Sequence, residues 1–339
     1  MGLTVWESIM NSIQPKLATR LNSFAVKPEI YWSPRKTSFT IFDLLERVAM
    51  VKGLTHIDFN YPDHLHSVSI SEMRNFLLQT PLSLNGLAMR YASDPCFSLG
   101  AFTNPDPRIR QKAIDLTKRG VDTLVSLGGS IMTIWLGQDG FDYPFQVDYA
   151  QIFEYVVEGV KKVANYNPDI NISIEYKPYE PRGFSILSDV GSTLFLIKEI
   201  GYKNIGMTLD FCHMLLGKEQ PAASASLAMK YGKLFGIHLN DGYGSRDDGL
   251  MVGSVHFIQT LELLYTIYAH GFDGTIYFDT FPTNEDPIKE CETNIKAVKG
   301  LYKLIENIDQ NKLTDILNKQ DALASQALIQ GLITNSKFI

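Results

Sequence analysis

Ile172–Ser173–Ile174–Glu175–Tyr176–Lys177–Pro178–Tyr179–Glu180–Pro181–Arg182–Gly183 begins as a short β-type run and ends in a Pro/Gly loop. Alternation along a strand sends residues i and i+2 to the same face. Glu175 and Lys177 therefore point the same way. If that face is the inside of a barrel mouth, a carboxylate and an amine share one pocket. The remaining segments decide whether such a barrel exists.

An apolar-to-Pro/Gly rhythm repeats along most of the chain. It predicts strands over 20–26, 55–60, 83–91, 131–136, 170–176, 205–211, 234–239 and 275–278. Three- and four-residue apolar spacing predicts helices near 40–51, 71–79, 106–125, 147–164, 186–200, 222–231, 255–269 and 287–307. Pro107 suits the first turn of its helix. Eight strand–helix units about 30–40 residues apart are what a (β/α)8 barrel requires. A doubly wound open sheet would want a Gly-rich phosphate loop after an early strand, and no GxGxxG or GxxxxGK[ST] is present. The expected fold is thus α/β: a single (β/α)8 TIM barrel over residues 1–308. Residues 309–339, rich in Leu, Ala, Gln and Lys, read as a C-terminal helical extension. It packs on its own barrel or on a partner subunit.

Composition is consistent with this. The chain has 339 residues, 45% hydrophobic and 20% charged, with a net charge of −6. Mild acidity argues against nucleic acid as the main partner, because phosphate binding usually shows a basic face. Cys96, Cys212 and Cys291 are odd in number and far apart, without a CxxC pair, so a disulfide framework or a thiolate zinc site is not expected. No apolar run of about 18 residues appears, and no membrane span is expected. Residues 1–17 lack a basic region ahead of an apolar run and do not read as a signal peptide. A reducing cytoplasm is the simplest location.

Catalytic groups of such barrels lie at the C-terminal ends of strands. There the chain puts Glu175, Asp210 with His213, His238 with Asp241, and Asp279. That is one ligand-type residue from each of four consecutive strands. A single Asp at a strand end is more often a helix N-cap than a ligand, and a lone His is more often satisfied in a core. Four in register reverse that balance. Three carboxylates and an imidazole facing each other repel unless a divalent cation holds them. The O/N set suits Mg²⁺, Mn²⁺ or Co²⁺.

The segment Glu175-x-Lys177-Pro178-x-Glu180-Pro181-Arg182-Gly183 resembles the fifth-strand motif of xylose isomerase and its relatives among the aldose–ketose isomerases. Ile134–Trp135–Leu136–Gly137–Gln138–Asp139–Gly140 is similar to the family's fourth-strand Trp-Gly-Gly-type loop. Asp210–Phe211–Cys212–His213 resembles its sixth-strand acid-x-x-His motif. Leu234 to Asp241 resembles the seventh-strand segment, and Asp279 the eighth-strand aspartate. Histidine at 238, where xylose isomerase has aspartate, makes the bacterial L-rhamnose isomerase branch the closer match.

The resemblance implies two divalent cations per subunit. Glu175, Asp210, His238 and Asp279 would hold a structural one. Asp210, His213 and an acidic pair, Asp247 and Asp248, would hold a catalytic one. The family usually spaces that pair as Asp-x-Asp, so the adjacent Asp247 and Asp248 depart from the pattern; water or Asp241 would then complete the site. Lys177, His213 and Asp248 are the implied catalytic residues. Lys177 would meet the substrate oxygen at C1, and Trp135 and His213 would also contact the sugar. The implied partner is a small monosaccharide, and the implied assembly a homo-oligomer, dimer or tetramer.

Interconverting aldose and ketose needs O1 and O2 polarised and a hydrogen moved between carbons. Cations and Lys177 supply positive charge. A hydride shift then needs no strong protein base, and an enediol route is the alternative. A ketose 3-epimerase on the same barrel is the neighbouring reading. Such enzymes typically use one metal and two glutamates, one on the eighth strand, whereas here that acid is Asp279. An endonuclease IV type of repair enzyme would want more than seven histidines and a basic groove. A non-catalytic binding protein is the remaining class. Specificity is expected in the loops after strands one to three, where Tyr61, His64 and Phe97 either line the sugar's far end or serve packing, as aromatic residues in loops as often do. Arg90 and Arg182 leave room for an acidic or charged sugar.

Overall fold

The computed structural model describes residues 15–35 and 37–335. The stretch read for a leader lies almost entirely outside the described residues, as do the last four positions of the C-terminal extension. Eight parallel strands form the barrel: β1 (Lys16–Thr19), β2 (His56–Tyr61), β3 (Ser83–Met89), β4 (Ile131–Trp135), β5 (Asn171–Glu175), β6 (Ile205–Asp210), β7 (Leu234–Leu239) and β8 (Thr275–Phe278). Neighbours pair continuously from β2 through β8 and on to β1. The β1–β2 seam is joined by Thr55 N donating to Leu17 O at 3.1 Å and by a bridge between Arg20 and Asp58.

Helices alternate with the strands: α1 (Ile41–Ala49), α2 (Ile70–Leu78), α3 (Pro107–Leu127), α4 (Tyr149–Ala164), α5 (Val190–Ile200), α6 (Pro221–Lys230), α7 (Phe257–Ala269) and α8 (Pro287–Glu306). Local sequence starts them. Thr40 and Ser69 form capping boxes with Asp43 and Glu72, and Asp106 caps α3 with Pro107 in its first turn. These contacts satisfy N–H groups that a helix start leaves open. The extension forms α9 (Gln310–Lys319) and α10 (Ala322–Asn335). Tyr265 on α7 reaches α9, its hydroxyl donating to Gln310 Oε1.

Strand parity divides the barrel into two chemistries. Ile172 and Ile174, Met207 and Leu209, Ile237 and Leu239, and Ile276 and Phe278 are buried and apolar. They belong to one parity and meet the helices, where the continuous core lies. The opposite parity faces inward and is polar. Ser173 bonds Thr208 at 2.7 Å, and Asn85 links Asp58 to Thr275. The same parity, carried to the strand ends, delivers Arg20, Arg90, Trp135, Glu175, His238 and Asp279 to one mouth.

Two expected elements begin elsewhere, and one element is new. The strand expected over 20–26 is instead β1 at Lys16–Thr19, followed by a 3-10 turn over Leu21–Ala25. Its buried apolar residues, Leu21 and Phe24, are three apart, which fits a turn and not a two-residue alternation. The helix expected from 186 begins at Val190, because Phe184–Ser185 pairs antiparallel with Gly140–Phe141. A short helix over Phe211–Leu216, which was not expected, follows β6 directly.

Of the two roles open to His64, the structure shows the packing one: it ties the β2 turn to the segment after β1. Its Nδ1 accepts from Asn60 N at 3.0 Å, and its Nε2 meets Asn22 Oδ1 at 2.5 Å. A neutral ring with the proton on Nε2 satisfies both. Burial, then Arg90 and Arg20, lower its pKa to about 4. The unfolded imidazole, near 6.5, therefore takes up a proton first as pH falls. This stabilisation is complete above about pH 6.5 and declines towards pH 4, by about 3 kcal/mol in all. Urea unfolding of the native chain between pH 7 and 4 should show that loss beyond any seen in His64→Gln. Parallel pH curves would refute it.

Candidate metal centre

Glu175 ends β5, Asp210 ends β6, His238 lies on β7 and Asp279 follows β8. Backbone pairing sets Asp210 level with His238, and His238 level with Tyr277. One ligand atom from each of Glu175, Asp210, His238 and Asp279 lies within 4.8 Å of the other three. Opposite ligands of a cation bound at about 2.1 Å are about 4.2 Å apart, so the four suit a common ion. His238 Nδ1 is 3.1 Å from Glu175 Oε1 and 4.0 Å from Asp210 Oδ2.

Asp210 also caps the short helix, its Oδ1 accepting His213 N at 3.0 Å. The cap reading and the ligand reading thus hold together for this residue. The cap places His213 three residues on, facing the same cavity. His213 Nδ1 lies 2.9 Å from Tyr176 O, and Nε2 lies 3.2 Å from Asp247 Oδ2. With its proton on Nδ1 held by that carbonyl, the ring turns Nε2 towards Asp247. A carbonyl behind a histidine is the usual way to orient a metal ligand. Lys177 Nζ sits 3.0 Å from both Asp247 Oδ2 and Glu180 Oε2. Asn240 braces the group, its amide donating to both Asp210 oxygens and to Asp279 O.

The expected acidic pair separates. Asp247 faces the cavity, and its Oδ1 is buried without a hydrogen bond. Asp248 is turned into its own loop, accepting Tyr243 N at 2.8 Å and pairing with Arg246 Nε at 2.6 Å. Asp241 is occupied as well. It accepts the backbone N–H groups of Gly242, Val255 and His256, and meets His256 Nδ1 at 2.9 Å. It fastens the β7 loop and supplies nothing to the cavity.

Electrostatics follow from crowding. Burial disfavours an ionised Glu175, but His238, then His213 and Arg90, outweigh it and hold the carboxyl at about 2. Burial pushes Asp210 up to about 7, opposed by His213 and reinforced by Asp247, Asp279 and Glu175. Burial alone would lower both histidines, yet their carboxylate neighbours push each to about 9. Asp247 is held low by His213 and Lys177 against burial. The cluster draws in protons because it lacks positive charge, and a cation supplies the same charge in their place. With buried Asp247 Oδ1 and Asp279 Oδ1 lacking hydrogen bonds, the donor set fits a hard divalent ion.

Trp135 forms one wall. A Cβ on Gly137 would lie 2.4 Å from its ring, so only glycine admits the indole there. The cavity has a volume of about 200 Å³, below the ~300–1,000 Å³ typical of drug-sized ligands. Of the specificity residues expected, Arg90 lines it. Phe97 is fully buried against Tyr91, Tyr61 lies 3.1 Å from where a Cβ on Gly120 would sit, and Arg182 pairs with Asp142. Arg20, Asp58, Tyr277 and Phe281 line it unexpectedly. Arg20 would have been found had β1 been placed at residue 16, since it is the inward residue just past that strand. Its Nε is 3.3 Å from Asp279 Oδ1.

Comparison with known proteins agrees with this fold. The family model described as xylose isomerase-like TIM barrel matches residues 51–300, and the chain belongs to that family. It is 29% identical over 216 residues to the xylose isomerase of Thermus thermophilus, covering 62% of this chain and 56% of that one. The chain thus spans little more than half of that relative. A probable sugar isomerase of Mesorhizobium japonicum is 27% identical over 309 residues, covering 85% of this chain and 70% of the relative. The solved structure of L-ribulose 3-epimerase superposes with a TM-score of 0.65 at 14% identity, covering 88% of this chain and 99% of that one.

The metal centre makes a contrast in ion binding. Titration of purified protein with Mn²⁺ by calorimetry should lose at least ~100-fold in affinity for Glu175→Ala, beyond what removing a supporting hydrogen bond costs. Asp248→Asn should stay within about threefold of the parent, since that carboxylate faces its own loop. Equal losses in both would show that the quartet is not the site.

Proposed function

We propose that this chain is a divalent-cation-dependent sugar isomerase that interconverts an aldose and a ketose. The observation that carries the reading is Lys177, held by Asp247 and Glu180 beside the Glu175–Asp210–His238–Asp279 quartet. Glu175, Asp210, His238 and Asp279 would hold one cation, and His213 and Asp247, sharing Asp210, a second. When bound, such ions polarise carbonyl and hydroxyl oxygens.

The chain's own groups do the rest. Burial opposes the charge on Lys177, but Asp247 and Glu180 raise its pKa and keep it an ammonium. It can then donate to an oxygen that gains charge at C1. Because the site is shielded, that donor counts for more than it would in water. Tyr176 O orients His213, and Asn240 holds Asp210 in place. Trp135 covers one face of the cavity and keeps water from it. None of these groups need act as a strong base, which favours a hydride shift over the enediol route.

The second reading is a ketose 3-epimerase, supported by the likeness in fold to L-ribulose 3-epimerase across nearly all of that structure. The aspartate at 279 and Lys177 after Glu175 favour the isomerase. The L-rhamnose isomerase branch rests on His238 alone.

Treatment with EDTA should abolish sugar interconversion, and Mn²⁺, Co²⁺ or Mg²⁺ should restore it, followed by NMR on a panel of aldoses and ketoses that resolves C2 from C3 products. Undiminished turnover in metal-free protein would sink the proposal. Product epimeric at C3 alone would select the second reading.

Lys177→Met should lower kcat by about 10²–10³-fold while Mn²⁺ content per subunit stays equal to the parent's. A C2-deuterated aldose in ordinary water should yield product that keeps its label. Complete washout would assign the enediol route.

A further inference from the structure

Arg90 is the cation of the cavity that, among the described residues, has no carboxylate within ion-pair distance. It follows β3 with inward parity and lines the same cavity as Lys177, Glu175 and His238. Every comparable cation near the mouth has a carboxylate: Arg20 has Asp279, Lys177 has Asp247 and Glu180, and Arg182 has Asp142. The Arg90 guanidinium is half-buried, yet among the described residues no hydrogen bond or ion pair holds it. Its one neighbour of note is the Trp135 ring, whose centroid is 5.7 Å from Arg90 Cζ.

An arginine on an indole is supported through its face, while its N–H groups point outward in the plane. Those N–H groups form a fork that matches two oxygens of one carboxylate or phosphate. Ala88 and Met89 precede it on the same wall and supply no acid. Glu175 is felt by Arg90 only through space, so the fork of N–H groups stays open to an anionic ligand at hydrogen-bond range. In an eight-stranded barrel β3 lies opposite β7, which carries His238. A substrate held by the quartet at its reacting end would therefore offer its other end to Arg90.

We infer that Arg90, stacked on Trp135, selects a sugar with a terminal anionic group, a carboxylate or a phosphate, over the neutral sugar. The inference rests on the sugar-isomerase reading above and names the substrate class of that site. It departs from a pocket built for neutral sugars alone, where this wall would need only hydroxyl contacts.

The test uses the Mn²⁺-loaded full chain and matched sets of aldoses, each comprising the neutral sugar, its uronate and its terminal phosphate. In the best set a charged member should exceed the neutral one in kcat/KM by at least about tenfold. Arg90→Met should cut that charged-to-neutral ratio by at least about tenfold, and Arg90→Lys should retain part of it. Whether uronate or phosphate leads identifies the group. A preference for the neutral sugar, or a ratio unchanged in Arg90→Met, overturns the inference. If no sugar of any kind turns over, the isomerase reading fails on its own. Calorimetry of uronate against neutral sugar then decides the role of Arg90. Tighter uronate binding that Arg90→Met removes upholds it, and equal binding overturns it. Melting curves of both variants confirm that they are folded.

Discussion

Four carboxylates, Glu175 and Asp210 buried and Asp247 and Asp279 partly so, meet at one end of the barrel. Their mutual repulsion is the constraint that the surrounding structure answers. His213 and His238 take up protons between them, Lys177 and Arg20 form ion pairs at the edge, and Asn240 donates to Asp210. Each element around the site supplies positive charge or a hydrogen-bond donor. Such a concentration of like charge has no value for stability. It is the arrangement that the proposed cation would neutralise.

The cost is borne elsewhere in the fold. The barrel's interior is polar at mid-height, with Ser173 on Thr208 and Asp58 on Asn85. Apolar burial is concentrated between the strands' outer faces and the helices. Stability and chemistry are thereby placed on opposite parities of the same strands. A substitution at 172 or 174 acts on packing, whereas one at 173 or 175 acts on the cavity.

Much of this was legible in the chain itself. The apolar-to-Pro/Gly rhythm locates β5 to β8 within a residue or two, and the strand-end positions bring Glu175, Asp210, His238 and Asp279 together without any knowledge of loops. What escaped depended on loop conformation. Nothing in the adjacency of Asp247 and Asp248 tells which carboxylate turns inward; that is set by Tyr243 N and Arg246, which bind Asp248. Asp241 sits at a strand end like the true cluster members, but four donors from its own loop and from residues 255–256 claim it. The first strand was misplaced because Leu21 and Phe24 are apolar, although their spacing belongs to a turn. That slip also hid Arg20. Phe97 and His64 stay undecided between contact and packing in the sequence, because aromatic rings in loops carry no mark that separates packing from recognition.

The seam between β1 and β2 is joined by few backbone bonds, and Arg20 stands on it. Its backbone bridges to Asp58 while its side chain reaches Asp279 on β8. Closure of the barrel and completion of the acidic cluster are therefore one event. The residue that closes the ring is thus also the one that sets a guanidinium beside the eighth-strand acid, across from His238.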